Sequence, residues 1–459
     1  MKHRGRLTDN LLRAETGPLI EEKDFDTQVI IPTMKRLVEK YAIKFDRSCT
    51  VSADDDLADR VFQAGLELAV DVGVYCQSTH RRILWTRQEI EDGIRSCPDE
   101  VVFGRGADSV VVRARRPEDD IRLVITGGPI GVAVPEDLYP KIMLSYAKES
   151  VIDGVDAPVL ESVYGLPIKA DSPWEALAGW REAELAHEVL QRSGRLEMSL
   201  GCVGLAATEI AQLSAASYGG FRPMDRHYVA MLGEFKTNYH MLTKVVHISR
   251  IGGLLQSFYN PIYGGYVGGA EGVAIACCAG PILLNQLYMG STYGTRPEHP
   301  FLNSNSTPEL LWAMSVAFQG VTRNTDLLLH ALVGPAGGPG TRTMLLENAA
   351  ITIASTVSGV SMIAACMSAS GTKPRHASGL DARICGEVAH AAEGMSRTEA
   401  NTIVGKLLHE YEADMKNKPF GKPFEEVYDL ETIEPTPEWL GLYNSVKDEL
   451  AVLGVRFQR

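Results

Sequence analysis

Apolar and polar residues recur along this chain with two different periods, and the change from one to the other divides it. Through residue 118 the spacing is mostly helical. Leu57, Val61, Phe62, Leu66 and Leu68 share one face of a helix that Ser52 is placed to cap. Thr86 and Glu89 form a capping box for the next helix. The run "GRGADSVVVRARR" at 104–116 is rich in valine and partly alternating, as a β-ribbon is.

From residue 121 onward, short apolar runs alternate with helical stretches. The pattern predicts strands at 121–126, 150–155, 195–203, 243–249, 299–304, 326–333 and 359–367. Between them, Ser172-Pro173-Trp174-Glu175 opens a helix that stops at Ser193-Gly194, and Thr307-Pro308-Glu309 opens one that stops at Gly320. Further helices are expected at 268–288, 341–357, 379–393 and 397–413, the last opened by Ser396 and Glu399. Repeated βα units over this length fit an α/β (β/α)8 TIM barrel, with a doubly wound open sheet as the alternative. The expected division is an N-terminal helical and β-ribbon extension (1–118), the barrel (119–416), and a C-terminal arm and helix (417–459).

Composition narrows the function classes. A net charge of −13 over 459 residues argues against nucleic acid or an anionic membrane as partner. The apolar run at 272–284 is too short to span a bilayer and reads as a buried helix. With no secretory signal pattern at the start and eight scattered cysteines, the expectation is a reduced, cytoplasmic protein. Between Ile251 and Thr295 the one charged residue is Glu271, so helices there need cover on most sides. The core supplies part of that cover, and a homo-oligomer interface is expected to supply the rest.

Four stretches are candidates for chemistry. "NPIYGGYVGGAEG" at 260–272 places Gly264, Gly265, Gly268 and Gly269 before a helix, where backbone can approach a large ligand or another helix. His247 in "KVVHIS" is either a hydrogen-bonded core residue or, at a strand's C-terminal end, a group at the barrel mouth. The loop 332–340, with Gly334, follows a strand, and its backbone N–H groups are free in principle to receive an anionic or bulky cofactor group. The strand in "GRLEMSLGCVG" at 194–204 ends on Cys202 and Val203. "GGPIG" at 127–131 has the wrong spacing for a dinucleotide fingerprint, and no Ser–His–Asp order, metal-ligand helix or P-loop is present.

Several longer blocks resemble the monomethylamine methyltransferase family. They are "GVYCQSTHRRI" (73–83), "GGPIG", "SPWEAL" (172–177), "PIYGGYVGGAE" (261–271), "LLENAA" (345–350), "GLDARICGEVA" (379–389) and the long C-terminal block at 422–457. The resemblance implies a TIM barrel that moves a methyl group from a methylamine to Co(I) of a separate corrinoid protein. No cofactor is then expected on the chain itself; the corrinoid (cobalamin) is carried by the partner. The family's signature pyrrolysine, which captures the amine, corresponds to Val203, or to Cys202 with a one-residue shift. Its active-site carboxylates correspond to Ala206, Tyr228 and Phe258, and its active-site glutamine to Leu332; His247 matches a family histidine. Valine cannot add an amine, so the resemblance implies that the amine-handling set has been replaced as a group.

Two readings follow. In the first, the chain is a methyltransferase that acts without pyrrolysine on a small methylated substrate, such as a quaternary ammonium or another donor. Tyr228, Phe258, Tyr259, Tyr263 and Tyr266 are candidate rings for a cation box. The alternative is a non-catalytic homologue that binds a corrinoid protein; a more distant idea is a hydrolase or lyase using Cys202 as nucleophile. Under the first reading Val203 and His247 are the catalytic positions, Tyr228, Phe258, Leu332 and Ala206 bind substrate, and Gly264, Gly265 and Gly334 receive the cofactor. Residues 203, 247, 303, 332 and 368 should then gather at one end of the barrel.

Overall fold

The computed structural model describes residues 2–201 and 208–457. Eight parallel strands close into a barrel: β1 (Val124–Gly127), β2 (Gly154–Asp156), β3 (Ser199–Gly201), β4 (Arg226–Met231), β5 (Leu254–Tyr259), β6 (Thr292–Thr295), β7 (Leu329–Leu332) and β8 (Met362–Ala364). Each strand pairs with the next, and β8 closes on β1. The helix after each strand is, in order, α1 (Tyr139–Ala147), α2 (Pro173–Ser193), α3 (Ile210–Ala215), α4 (Tyr239–Ile251), α5 (Ala270–Tyr288), α6 (Pro308–Asn324), α7 (Arg342–Val357) and α8 (Gly379–Ala392). This is the (β/α)8 fold that the sequence predicts.

Helix ends follow the local chemistry. Thr86 and Glu89 make the capping box. Proline opens α2, which ends on Gly194 in the left-handed conformation. Ser396 caps the helix Arg397–Met415. The cap of the helix Asp55–Val72 is Asp54 rather than Ser52: its carboxylate accepts from Leu57 N, while Ser52 Oγ accepts from Asp54 N. Helix α6 continues past Gly320 to Asn324.

Two predicted strands are absent. Residues 243–249 lie within α4, whose cap is Asn238 and whose stop is left-handed Gly252. Its buried Met241, Leu242, Val245 and Ile248 repeat with helical spacing. The sixth strand is Thr292–Thr295, and 299–304 is a loop in which His299 N donates to Ser304 O.

Valines in the antiparallel ribbon of Glu100–Phe103 and Val110–Arg113 face the foot of the barrel. Phe103 stands there 5.7 Å from the Arg226 guanidinium. Helix α5 is long and apolar enough to cross a membrane, yet every residue of it but Glu271 is buried in the protein. Its cover is the chain's own helix Asp55–Val72. The two approach so closely at Gly65 that a β-carbon there would come within 2.7 Å of Cys278 Sγ. Helix α5 is thus covered within one chain, whereas residues 264–266 before it are exposed. At the C-terminus the helix Pro437–Leu453 packs back on α7, and Trp439 Nε1 donates to Ser378 Oγ at 3.3 Å.

Candidate functional site

The barrel interior is polar at its centre. Arg226 on β4 and Asp156 at the end of β2 form a fully buried ion pair at 2.6 Å. Thr126 Oγ1 donates to the same carboxylate at 3.1 Å and Tyr228 OH at 3.3 Å. Burial alone would lower the Arg226 pKa, but the Asp156 carboxylate holds it above its ordinary value. The space for this cluster comes from small residues on neighbouring strands. A β-carbon on Gly201 would lie 2.1 Å from Asp156 Oδ1, and one on Gly294 would lie 2.0 Å from His330 Nε2. Across the barrel wall the register sets Gly294 between Phe258 and His330, so the one position without a side chain makes room for the two rings beside it. His330 is fully buried; desolvation, helped by the Arg226 charge, pushes its pKa down to about 3. It is therefore neutral at pH 7.

Above this layer, at the C-terminal ends of the strands, lies a cavity of about 300 Å³. Tyr228, Phe258 and Leu332 all line it, together with Ile130, Asn260, Arg296, Met367 and Ser370. Active sites of barrels sit at this end. The Tyr228 and Phe258 rings meet edge to face, 5.9 Å apart. The Tyr228 ring is held by its hydroxyl, which donates to Asp156 from below, and its backbone by Gln212 Nε2, which donates to its carbonyl. Leu332 is fixed from the side: Asn305 Nδ2 donates to its carbonyl, and Asn305 Oδ1 accepts from Gly334 N.

The other sequence candidates are distributed differently. Val203, Ala206 and Cys202 lie outside the described residues. His247 is not at the mouth. It sits on α4 in the outer layer, near His227, with Nε2 against the Ala216 carbonyl at 2.8 Å. The helical spacing of its neighbours put it there. Asn303 is in the loop after β6, its N–H donating to His299 O, and Ser368 follows β8 with its hydroxyl on Asp381. Tyr259 is a core residue: its hydroxyl donates to Glu234 and its ring stacks on Phe235. Tyr263 stacks on His299, and Tyr266 is exposed with Lys236 5.8 Å from its ring.

The glycines expected to present backbone donors have theirs engaged. Gly264 N donates to Gly268 O, Gly265 N to Ile262 O and Gly334 N to Asn305. In the 333–340 loop, Ala336 and Gly337 donate to the buried Glu347 carboxylate, which also accepts from Ser306. This loop is pinned from inside, and those amides are unavailable to a cofactor.

Sequence reasoning missed Arg296, Asn260 and Ser370. The signal for Arg296 was present, because it ends the charge-free run 272–295. It passed unnoticed because β6 was expected several residues later.

The family model for monomethylamine methyltransferase MtmB matches residues 6–455. The chain belongs to the monomethylamine methyltransferase family. MtmB2 of Methanosarcina acetivorans is 33% identical over 445 residues, covering 97% of each chain. MtmB of Methanosarcina mazei is 32% identical with the same coverage. The crystal structure of Methanosarcina barkeri MtmB matches with a TM-score of 0.95 and 32% identity over 98% of both chains. A hydroxylamine complex of MtmB matches equally well. Membership in this family makes the chain a methyltransferase by class.

Proposed function

We propose that this protein is a corrinoid-dependent methyltransferase whose donor is not monomethylamine but a small onium compound, a quaternary ammonium foremost. The observation that carries the reading is the convergence of Tyr228, Phe258 and Leu332 on one cavity at the barrel mouth. These are the positions where the resemblance implies carboxylates and a glutamine. Three hydrogen-bonding groups suited to a primary amine have become two aromatic rings and an alkyl group.

The chemistry of the leaving group explains why such a replacement keeps methyl transfer possible. A primary amine is a poor leaving group and needs activation. A quaternary nitrogen already carries the charge; as its C–N bond breaks, the bonding pair stays on nitrogen and a neutral tertiary amine departs, with no proton required. The methyl acceptor is a reduced cobalt that a corrinoid supplies when its carrier protein is bound. A cavity of about 300 Å³ suits a small donor. A corrin ring is larger than that, so the cofactor would be presented across the rim.

The chain's own residues then have defined tasks. The Tyr228 and Phe258 rings attract the onium charge by their π faces, worth about 0.5–2 kcal/mol per well-placed ring. Leu332, Met367 and Ile130 keep water away, which strengthens that attraction. The test is methyl transfer to a reduced corrinoid protein, followed by the change in cobalt absorbance. A quaternary ammonium should support it and monomethylamine should not. Robust turnover of monomethylamine would overturn the proposal.

A further inference from the structure

Arg296 begins the loop after β6, and its N–H donates to Tyr259 O at 3.1 Å, which fixes it between the ends of β5 and β6. Its side chain reaches over the cavity and is nine-tenths buried. Nη2 pairs with Glu298 and donates to Ser370 Oγ at 2.6 Å. Among the described residues Nε has no hydrogen-bond partner. Gly334 makes the seat for this guanidinium, since a β-carbon there would lie 2.8 Å from Nε and 2.9 Å from Cζ. Asn260, on the same cavity, has a buried amide oxygen that is likewise unpartnered among the described residues.

A guanidinium has five N–H donors, and leaving them unused out of water is costly. Nη2 is taken by Glu298 and Ser370, so Nε is the donor left for a ligand acceptor, and a carboxylate oxygen is the acceptor a charged N–H favours most. Charge balance points the same way. Arg296 and Glu298 cancel, so a bare onium ion would leave the dry cavity with one net positive charge. An onium compound carrying its own carboxylate leaves it neutral.

We propose that Arg296 makes the donor site read an acid group: the methyl donor is an onium carboxylate, its methylated end against Tyr228 and Phe258 and its carboxylate on Arg296. This deepens the donor reading above and rests on it.

The probes are trimethylammonioacetate and its alcohol analogue, choline, titrated calorimetrically into the full chain. The wild type should bind the carboxylate at least about tenfold more tightly than the alcohol. Arg296→Gln should remove that preference, with the carboxylate probe losing affinity while choline, facing an uncompensated Glu298, binds no more weakly than to the wild type. Arg296→Lys, which retains charge and fits the same seat, should retain part of the preference and provides the comparison if the glutamine variant does not fold. Equal binding of both probes to the wild type, an unchanged preference in either variant, or no binding of either probe would overturn the proposal. The two readings fail separately. Methyl transfer from onium compounds without a carboxylate preference removes the role of Arg296 alone. A carboxylate preference that depends on Arg296, with no transfer from any onium compound, removes the donor reading and leaves Arg296 only as the group that reads the acid.

Discussion

Asp156→Asn should be among the most damaging single changes in the barrel, although it alters one atom. Asp156 and Arg226 are both fully buried and 2.6 Å apart. Neutralising one partner leaves the Arg226 charge without a counter-ion in a site closed to water. Breaking a buried pair in this way costs about 3–5 kcal/mol, a large share of a total stability of about 5–15 kcal/mol. Thr126 and Tyr228 also bond to this carboxylate, so the change reaches the cavity wall. Urea unfolding followed by tryptophan fluorescence at fixed pH would measure the loss as a shift in midpoint. The double variant Asp156→Leu with Arg226→Met removes both charges and should be less destabilised than Asp156→Asn. A loss below about 1 kcal/mol for Asp156→Asn, or a double variant worse than the single, would refute the reasoning.

Gly294→Ala should destabilise the barrel by about 1–3 kcal/mol, because the new carbon meets His330 Nε2 at 2.0 Å. Adding His330→Ala should recover part of that loss in the same unfolding assay. His330 also sets a pH dependence: its pKa is about 3 when folded against an ordinary 6.5, so the unfolded chain binds the extra proton between those values. Its titration contributes nothing above pH 6.5 and progressively lowers stability as pH falls from there toward 3. His330→Gln should therefore show a shallower loss of stability between pH 6.5 and 4 than the wild type, read from paired urea titrations. Phe258→Ala should weaken binding of a trimethylammonium compound by roughly tenfold, for a ring worth about 1–2 kcal/mol. A neutral tert-butyl isostere should lose less in the same calorimetry, since burial of apolar surface alone penalises both ligands alike.

The barrel was legible because five of its strands stand between recognisable helix caps. β6 was expected several residues too late, and β4 and β5 were not seen, for a physical reason. "RHYVAM" and "LLQSFY" carry Arg226, Tyr228 and Gln256 into the barrel interior, where they satisfy one another. Inward polar residues erase the apolar run by which a buried strand is recognised. The opposite error fell on α4, where adjacent Val245 and Val246 read as strand while Asn238 and Gly252, the helix's start and stop signals, lay just beyond the window. At the site, Tyr228, Phe258 and Leu332 were reached through family resemblance. The burial and partners of Arg296 depend on loops distant in sequence, at Gly334 and Ser370. No local pattern records such a meeting.

The central claim is that the mouth of this barrel passes on the methyl group of an onium compound and not that of a primary amine. A competition in one vessel tests it most directly. Monomethylamine and trimethylammonioacetate, each with a differently labelled methyl group, are supplied in equal amounts with the reduced corrinoid protein and this chain. Mass spectrometry then reads which label reaches the corrinoid. The account predicts that the label comes from the quaternary compound, with dimethylammonioacetate released in equal amount. Label arriving chiefly from monomethylamine would contradict it.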